Sequence, residues 1–292
     1  MSELDNTIDS KDAGATIENW KLRCYLGGPS GSGKTTSALT IPPYYGGIKK
    51  PRLLIDFDGR YQSAAGLDDL KILSIFEPDT KSPRAYTKID RIRKELWALA
   101  RKGEKEFPYS CIIEDGGTML GRYCMNMAVT TDPLTGLGGA PARQHYIPHL
   151  KFYADHILMM KELPCHYIFT GHLEIVENPA DESVIYLPKV MGKTARTELA
   201  GWFDETYFCQ RKDGEKGLDY TWITKGTGKL DFFKSTLNLR GEFWEDPVKI
   251  NLKTEKTGFA DLLERRFGKD AWIGSEDKQE RITSPEQKGT VL

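Results

Sequence analysis

The 292-residue chain has no apolar run near the ~20 residues that a membrane-crossing helix requires, so no such helix is expected. Residues 1–18 are polar and acidic and lack the apolar stretch of a secretory leader. Cysteine is scarce. Cys24, Cys111, Cys124, Cys165 and Cys209 show no paired spacing, and four of them fall in apolar segments, where the thiol acts as a small hydrophobe. That usage argues against a disulfide framework and points to a reducing cytoplasm. Excess charge of one sign is also missing: the net charge of −1 excludes coating of nucleic acid by bulk charge alone. The deficit is unevenly spread, however. Residues 1–18 hold five acids against one base, and residues 275–292 hold four acids against three bases, so the chain between them is mildly basic.

Internal repeats and low-complexity linkers are lacking too. Both ends are poor in large apolar residues, so 1–18 and 274–292 are expected to be disordered tails around one domain at 19–273. Within it, short β-rich runs alternate with helical stretches, which predicts a largely parallel sheet flanked by helices. Expected strands lie at residues 21–26, 52–56, 72–76, 110–114, 166–170, 183–187, 205–210 and 220–224. A short helix begins at Thr35 and must stop before Pro42 and Pro43. Longer helices are expected at 86–101, with Ile89, Ile92, Leu96 and Leu99 on one face, at 146–163, and at 257–267.

The first strand runs into Gly28, Pro29, Ser30, Gly31, Ser32, Gly33, Lys34 and Thr35, followed by Thr36, which meets G-x-x-x-x-G-K-[ST] at every fixed position. Successive backbone N–H groups must turn inward toward phosphate oxygens, and only glycine adopts the required angles cheaply. The helix that follows points its positive end at the same phosphates. Lys34 is therefore expected on the β- and γ-phosphates of ATP, and the Thr35 hydroxyl on Mg2+. The metal also needs a carboxylate at the tip of a neighbouring strand. The run Cys111-Ile112-Ile113-Glu114-Asp115 supplies Asp115 for it, with Glu114 as either its neighbour or the group that polarises water. Hydrolysis needs a base or orienting group, and either Asp58, after Leu54-Ile55-Asp56-Phe57, or Glu114 can serve. His172 or Thr170, at the end of the 166–170 strand, is a candidate γ-phosphate sensor. His145 and His149 share a helical spacing, but no third ligand supports a metal there.

The order of these blocks (GPSGSGKTT, LLIDFDG, YSCIIEDGGTML, HYIFTGH and PKVMGKTARTELAGWFDETYF) resembles phage nucleotide-binding proteins with a RecA-like ATPase core, among them single-strand annealing and recombination ATPases of the Sak-four type. The resemblance spans about residues 20–240. It implies an α/β RecA-like P-loop NTPase with an additional β-rich C-terminal part, slow or DNA-stimulated ATP hydrolysis, head-to-tail self-assembly into a ring or filament, and a host-cell cytoplasmic setting. It also implies that Asp58 stands where such proteins carry a water-polarising Glu, and His172 where they carry a Gln sensor. Their DNA-contacting loops would map onto residues 131–148 and 174–196.

Two basic stretches suit single-stranded DNA. Lys189, Lys193 and Arg196 lie in a run without acids, and residues 224–240 hold Lys225, Lys229, Lys234 and Arg240 against Asp231 alone, with Phe232 and Phe233 between them. The two aromatics fit a strand with one ring in the core as well as they fit base stacking. Lys225, Lys229 and Lys234 have another possible use, reaching a neighbouring subunit's γ-phosphate. A nucleotide kinase would need an Arg-rich lid and a GTPase an N-K-x-D string, and neither is present. The remaining alternative is a nucleotide-binding scaffold or assembly factor with slow or no hydrolysis.

Overall fold

The computed structural model describes residues 20–77, 84–134, 139–177, 183–214, 217–252 and 256–273. The tails expected at 1–18 and 274–292 lie outside the described residues. In chain order, β1 (Arg23–Gly27) leads into α1 (Lys34–Ala38), a small hairpin of β2 (Tyr44–Tyr45) and β3 (Ile48–Lys49), then β4 (Arg52–Asp56), β5 (Leu70–Ser74) and α2 (Ala85–Ala100). Then follow β6 (Cys111–Asp115), α3 (Gly117–Thr131), α4 (Tyr146–Lys161), β7 (His166–Gly171), β8 (Leu173–Glu177), β9 (Val184–Pro188), α5 (Lys193–Glu198), β10 (Glu205–Gly214), β11 (Gly217–Ile223), β12 (Val248–Ile250) and α6 (Phe259–Phe267).

Eight strands form one sheet in the order β12-β11-β10-β1-β7-β6-β4-β5. From β10 to β5 every pairing is parallel, whereas β10, β11 and β12 pair antiparallel and form the β-rich C-terminal extension. The strand that feeds the glycine loop and the strand that ends in Asp115 are not neighbours, because β7 lies between them. The C-terminal ends of β1, β4, β6 and β7 therefore open on one edge, which is where ligands sit in sheets of this class.

Alternation along the strands sorts their side chains into two layers. Leu22, Cys24 and Leu26 face one cluster with Leu54, Ile113, Ile168 and the α6 residues Phe259, Leu262 and Leu263. Tyr25, Leu53, Ile55, Ile112, Tyr167 and Phe169 face the other, under Ile89 and Leu96 of α2 and Tyr153 and Ile157 of α4. In that second layer Phe203 stacks on Phe169 and on Tyr167, each pair with ring centroids 6.0 Å apart. Such contacts contribute roughly 0.5–1.5 kcal/mol beyond burial. Helix α1 ends at Ala38 because Pro42 and Pro43 cannot continue it.

Several expectations are corrected here. The strand expected at 72–76 is β5, two residues earlier. The 183–187 strand does not join the main sheet: as β9 it pairs antiparallel with β8, a strand the sequence did not announce, in a separate two-stranded ribbon. Residues 193–196, expected within a DNA-contacting loop, fall in α5. As one of the two readings had it, one ring of the aromatic pair, Phe233, is buried in the core, while Phe232 is half-buried and packs edge-on against Tyr25. All five cysteines are buried as free thiols. Among the described residues, no helix is long and apolar enough to cross a membrane.

Candidate nucleotide-binding site

The sheet edge holds a cleft of about 300 Å3, lined on one side by Ser30, Gly31, Gly33, Lys34, Thr35 and Thr36, and on the other by Asp58, Arg60, Asp115, Thr170 and His172. The loop conformation explains its glycines. Gly31 and Gly33 have φ of 74° and 78°, and a Cβ on Gly28 would stand 2.3 Å from the Cys209 carbonyl oxygen. A side chain at any of the three would strain or block the turn. Lys34 crosses the loop and donates to the Gly28 and Pro29 carbonyls, at 3.0 and 2.8 Å. Burial pulls its pKa down, opposed in part by the carboxylates of Asp115 and Asp58.

Asp115 is the hinge between loop and sheet. The Thr35 hydroxyl donates to its Oδ2 at 2.7 Å, and the Thr170 hydroxyl donates to its Oδ1. Thr170 also accepts the Gly116 N–H at 3.3 Å, so it helps to orient Asp115 while lining the cleft. A hydroxyl and a carboxylate oxygen side by side suit a hard cation that keeps phosphate and water as its remaining ligands. Among the described residues no cluster of three His, Cys, Asp or Glu side chains could hold a metal.

Asp58 stands on the turn after β4, its carboxylate against Gly116. A Cβ there would lie 2.7 Å from Oδ1, and Gly116 has φ of 99°. Burial, then the Asp115 carboxylate, raises the Asp58 pKa above the usual carboxylate range. His172 lines the same cleft and donates its backbone N–H to the Thr118 hydroxyl at 3.2 Å. Burial, then Lys34, lowers its pKa, so the ring is neutral at physiological pH.

Glu114 is the clearest correction. It is adjacent to Asp115 in a strand, so it points to the opposite layer. There it is fully buried, with its carboxylate 2.7 Å from His156 Nε2 and accepting the Tyr167 hydroxyl at 2.5 Å. It does not reach the cleft and cannot polarise water in it. The paired histidines are also accounted for: His149 Nε2 lies 3.1 Å from the Gly121 carbonyl, and His145 Nε2 lies 2.8 Å from Asp132.

Of the basic residues, Lys189 and Lys193 are exposed, just after β9 and at the start of α5. Arg196 is half-buried. Its Nε is held by the Val190 carbonyl at 3.0 Å and Glu174 at 2.9 Å, which pins α5 to the ribbon. Lys225, Lys229 and Lys234 are exposed and line no part of the cleft of their own chain. Missed by sequence reading were Arg60, which lines the cleft, and Tyr220 and Leu252, whose side chains close it beside Gly33. The last two come from the antiparallel extension, far away in the chain, so no local signal announces them.

A glycine loop, a Lys-Thr pair and a strand-end aspartate on a mostly parallel α/β sheet define a nucleotide-binding P-loop domain with a RecA-like fold. Residues 20–235 match the signature of a family described as an AAA domain (AAA_24), and the chain belongs to that family. Among solved structures, a KaiC-like protein from the hyperthermophilic archaeon Pyrococcus horikoshii OT3 is similar at 10% identity with a TM-score of 0.38, over 74% of this chain and 85% of the other. No curated protein matches the sequence.

Proposed function

We propose that this protein is a magnesium-dependent ATPase of the phage RecA-like kind, which binds single-stranded DNA in a nucleotide-dependent assembly and supports recombination or annealing. The observation that carries the ATPase reading is the 2.7 Å contact of Thr35 with Asp115 at the mouth of the glycine loop. Those two residues would hold Mg2+, which when bound supplies positive charge to the β- and γ-phosphate oxygens. Lys34 and the N–H groups of the loop bind and neutralise the phosphates. Asp58, with its raised pKa and its place across the cleft, orients the attacking water and accepts its proton. His172 offers its ring as a hydrogen-bond donor to the γ-phosphate. Lys189 and Lys193 supply the phosphate contacts for DNA, while Lys225, Lys229 and Lys234 are available to a neighbouring subunit.

The test is the ATPase rate with and without single-stranded DNA, with Lys34→Ala as control. Turnover that DNA stimulates and that Lys34→Ala abolishes, in a protein with unchanged circular dichroism, is the expected result. No turnover in either condition, with ATP binding intact, favours the scaffold reading, for which an aspartate one methylene shorter than glutamate at residue 58 is the supporting observation.

A further inference from the structure

The mechanism above leaves one cation of the cleft unused. Arg60 lines the same cleft as Lys34, and its place is set by the same device that places Asp58. Asp56 is fully buried at the end of β4, and its Oδ1 accepts the N–H groups of Asp58 at 3.1 Å and Arg60 at 3.2 Å. Its Oδ2 accepts the Ser74 hydroxyl of β5 at 3.1 Å. Gly59, with φ of 70°, lets the chain reverse between the two residues. One buried carboxylate thus fixes a turn that presents an acid and an arginine to the same cleft. Among the described residues the Arg60 side chain has no ion-pair or hydrogen-bond partner, so its fork of donors is uncommitted.

We propose that Arg60 is a catalytic residue acting in cis, placing its guanidinium on the γ-phosphate of the nucleotide bound by its own chain. This rests on the ATPase reading. In the step it serves, a water oxygen bonds to the γ-phosphorus as the bond to the β–γ bridging oxygen breaks. The water proton passes to Asp58, and the electron pair leaves with ADP. Arg60 exchanges neither proton nor electrons, and stabilises the charge that spreads over the equatorial oxygens. Its electrostatic influence on both Asp58 and His172 agrees with a position between them. A cation supplied in this way means that the neighbour's lysines need not complete the site.

Three measurements decide it. First, Arg60→Ala should lower kcat by about 10³-fold, the scale of an arginine acting on this chemistry, while binding of a fluorescent ADP analogue stays within about threefold. Second, Arg60→Ala chains mixed with Lys34→Ala chains, which retain Arg60 but cannot bind phosphates, should recover no activity. Recovery on mixing would show that Arg60 serves the neighbour and would overturn the proposal, as would Arg60→Ala turnover within threefold of wild type. Third, wild type should prefer a slowly hydrolysed ATP analogue over ADP, and Arg60→Ala should lose that preference. This arm needs no turnover. A wild-type protein that never hydrolyses ATP sinks the ATPase reading, and a preference unchanged in Arg60→Ala then overturns the γ-phosphate contact as well.

Discussion

Two neighbouring acids, Glu114 and Asp115, have opposite fates because a strand turns successive side chains to opposite faces. Asp115 meets Thr35 in the cleft, and Glu114 meets His156 and Tyr167 in the helical layer behind it. Substituting Glu114 and the cleft residue Asp58 should therefore separate stability from chemistry. Glu114→Gln leaves a buried network short of one acceptor oxygen, at a cost of about 1–3 kcal/mol in urea unfolding, while turnover per folded molecule stays within a few-fold. Asp58→Asn should do the reverse, keeping the unfolding midpoint and Mg-ATP binding while removing turnover. Loss of turnover in Glu114→Gln with the unfolding midpoint unchanged would reverse the two roles.

The central element is the seam of β1 and β7, because both strands feed the cleft. At its base, His166 accepts the Leu22 N–H on Nδ1 at 3.0 Å, packed against Trp20 and Tyr45. Burial, then the nearby Arg23 charge, lowers the His166 pKa to about 3, so the ring stays neutral in the fold. In the unfolded chain it takes a proton near the ordinary value of about 6.5. The unfolded state thus binds more protons between those values, and the contribution of His166 is present above pH ~6.5 and is lost as the pH falls toward 3. Urea unfolding at pH 7.5 and pH 5 should show wild type losing stability on acidification. His166→Gln, which retains an acceptor for Leu22 but cannot be protonated, should lose less over the same interval. An identical loss in both proteins would place the acid sensitivity elsewhere.

At the scale of the whole molecule, the DNA proposal rests on where the basic residues end up. With Arg196 pinned to Glu174, the chain presents Lys189 beside the cleft, since the Lys189 N–H is bonded to the His172 carbonyl at 2.8 Å, and Lys193 exposed at the start of α5. Two phosphates per subunit give a salt slope of about −1.4 for each subunit engaged, from roughly −0.7 per phosphate on a single strand. Oligonucleotide titrations over a salt series, with an ATP analogue, ADP or no nucleotide, should show that slope multiplied by the subunits assembled, and Lys189→Glu with Lys193→Glu should abolish binding. No binding at low salt in any nucleotide state would leave the assembly without a DNA partner. The same comparison of residues with fold separates what was legible in the chain. The glycine loop, the strand before it and the acid-tipped strands were readable, because each is a local constraint: a φ angle only glycine tolerates, an apolar run, a helix stopped by proline. The faces to which Glu114 and Asp115 turn, the burial of Phe233 and the packing of Phe232 on Tyr25, the detachment of β8 and β9 from the main sheet and the arrival of Tyr220 and Leu252 beside Gly33 were decided only by tertiary structure. Each depends on which distant segments pack together, and no spacing within a short stretch of sequence encodes that.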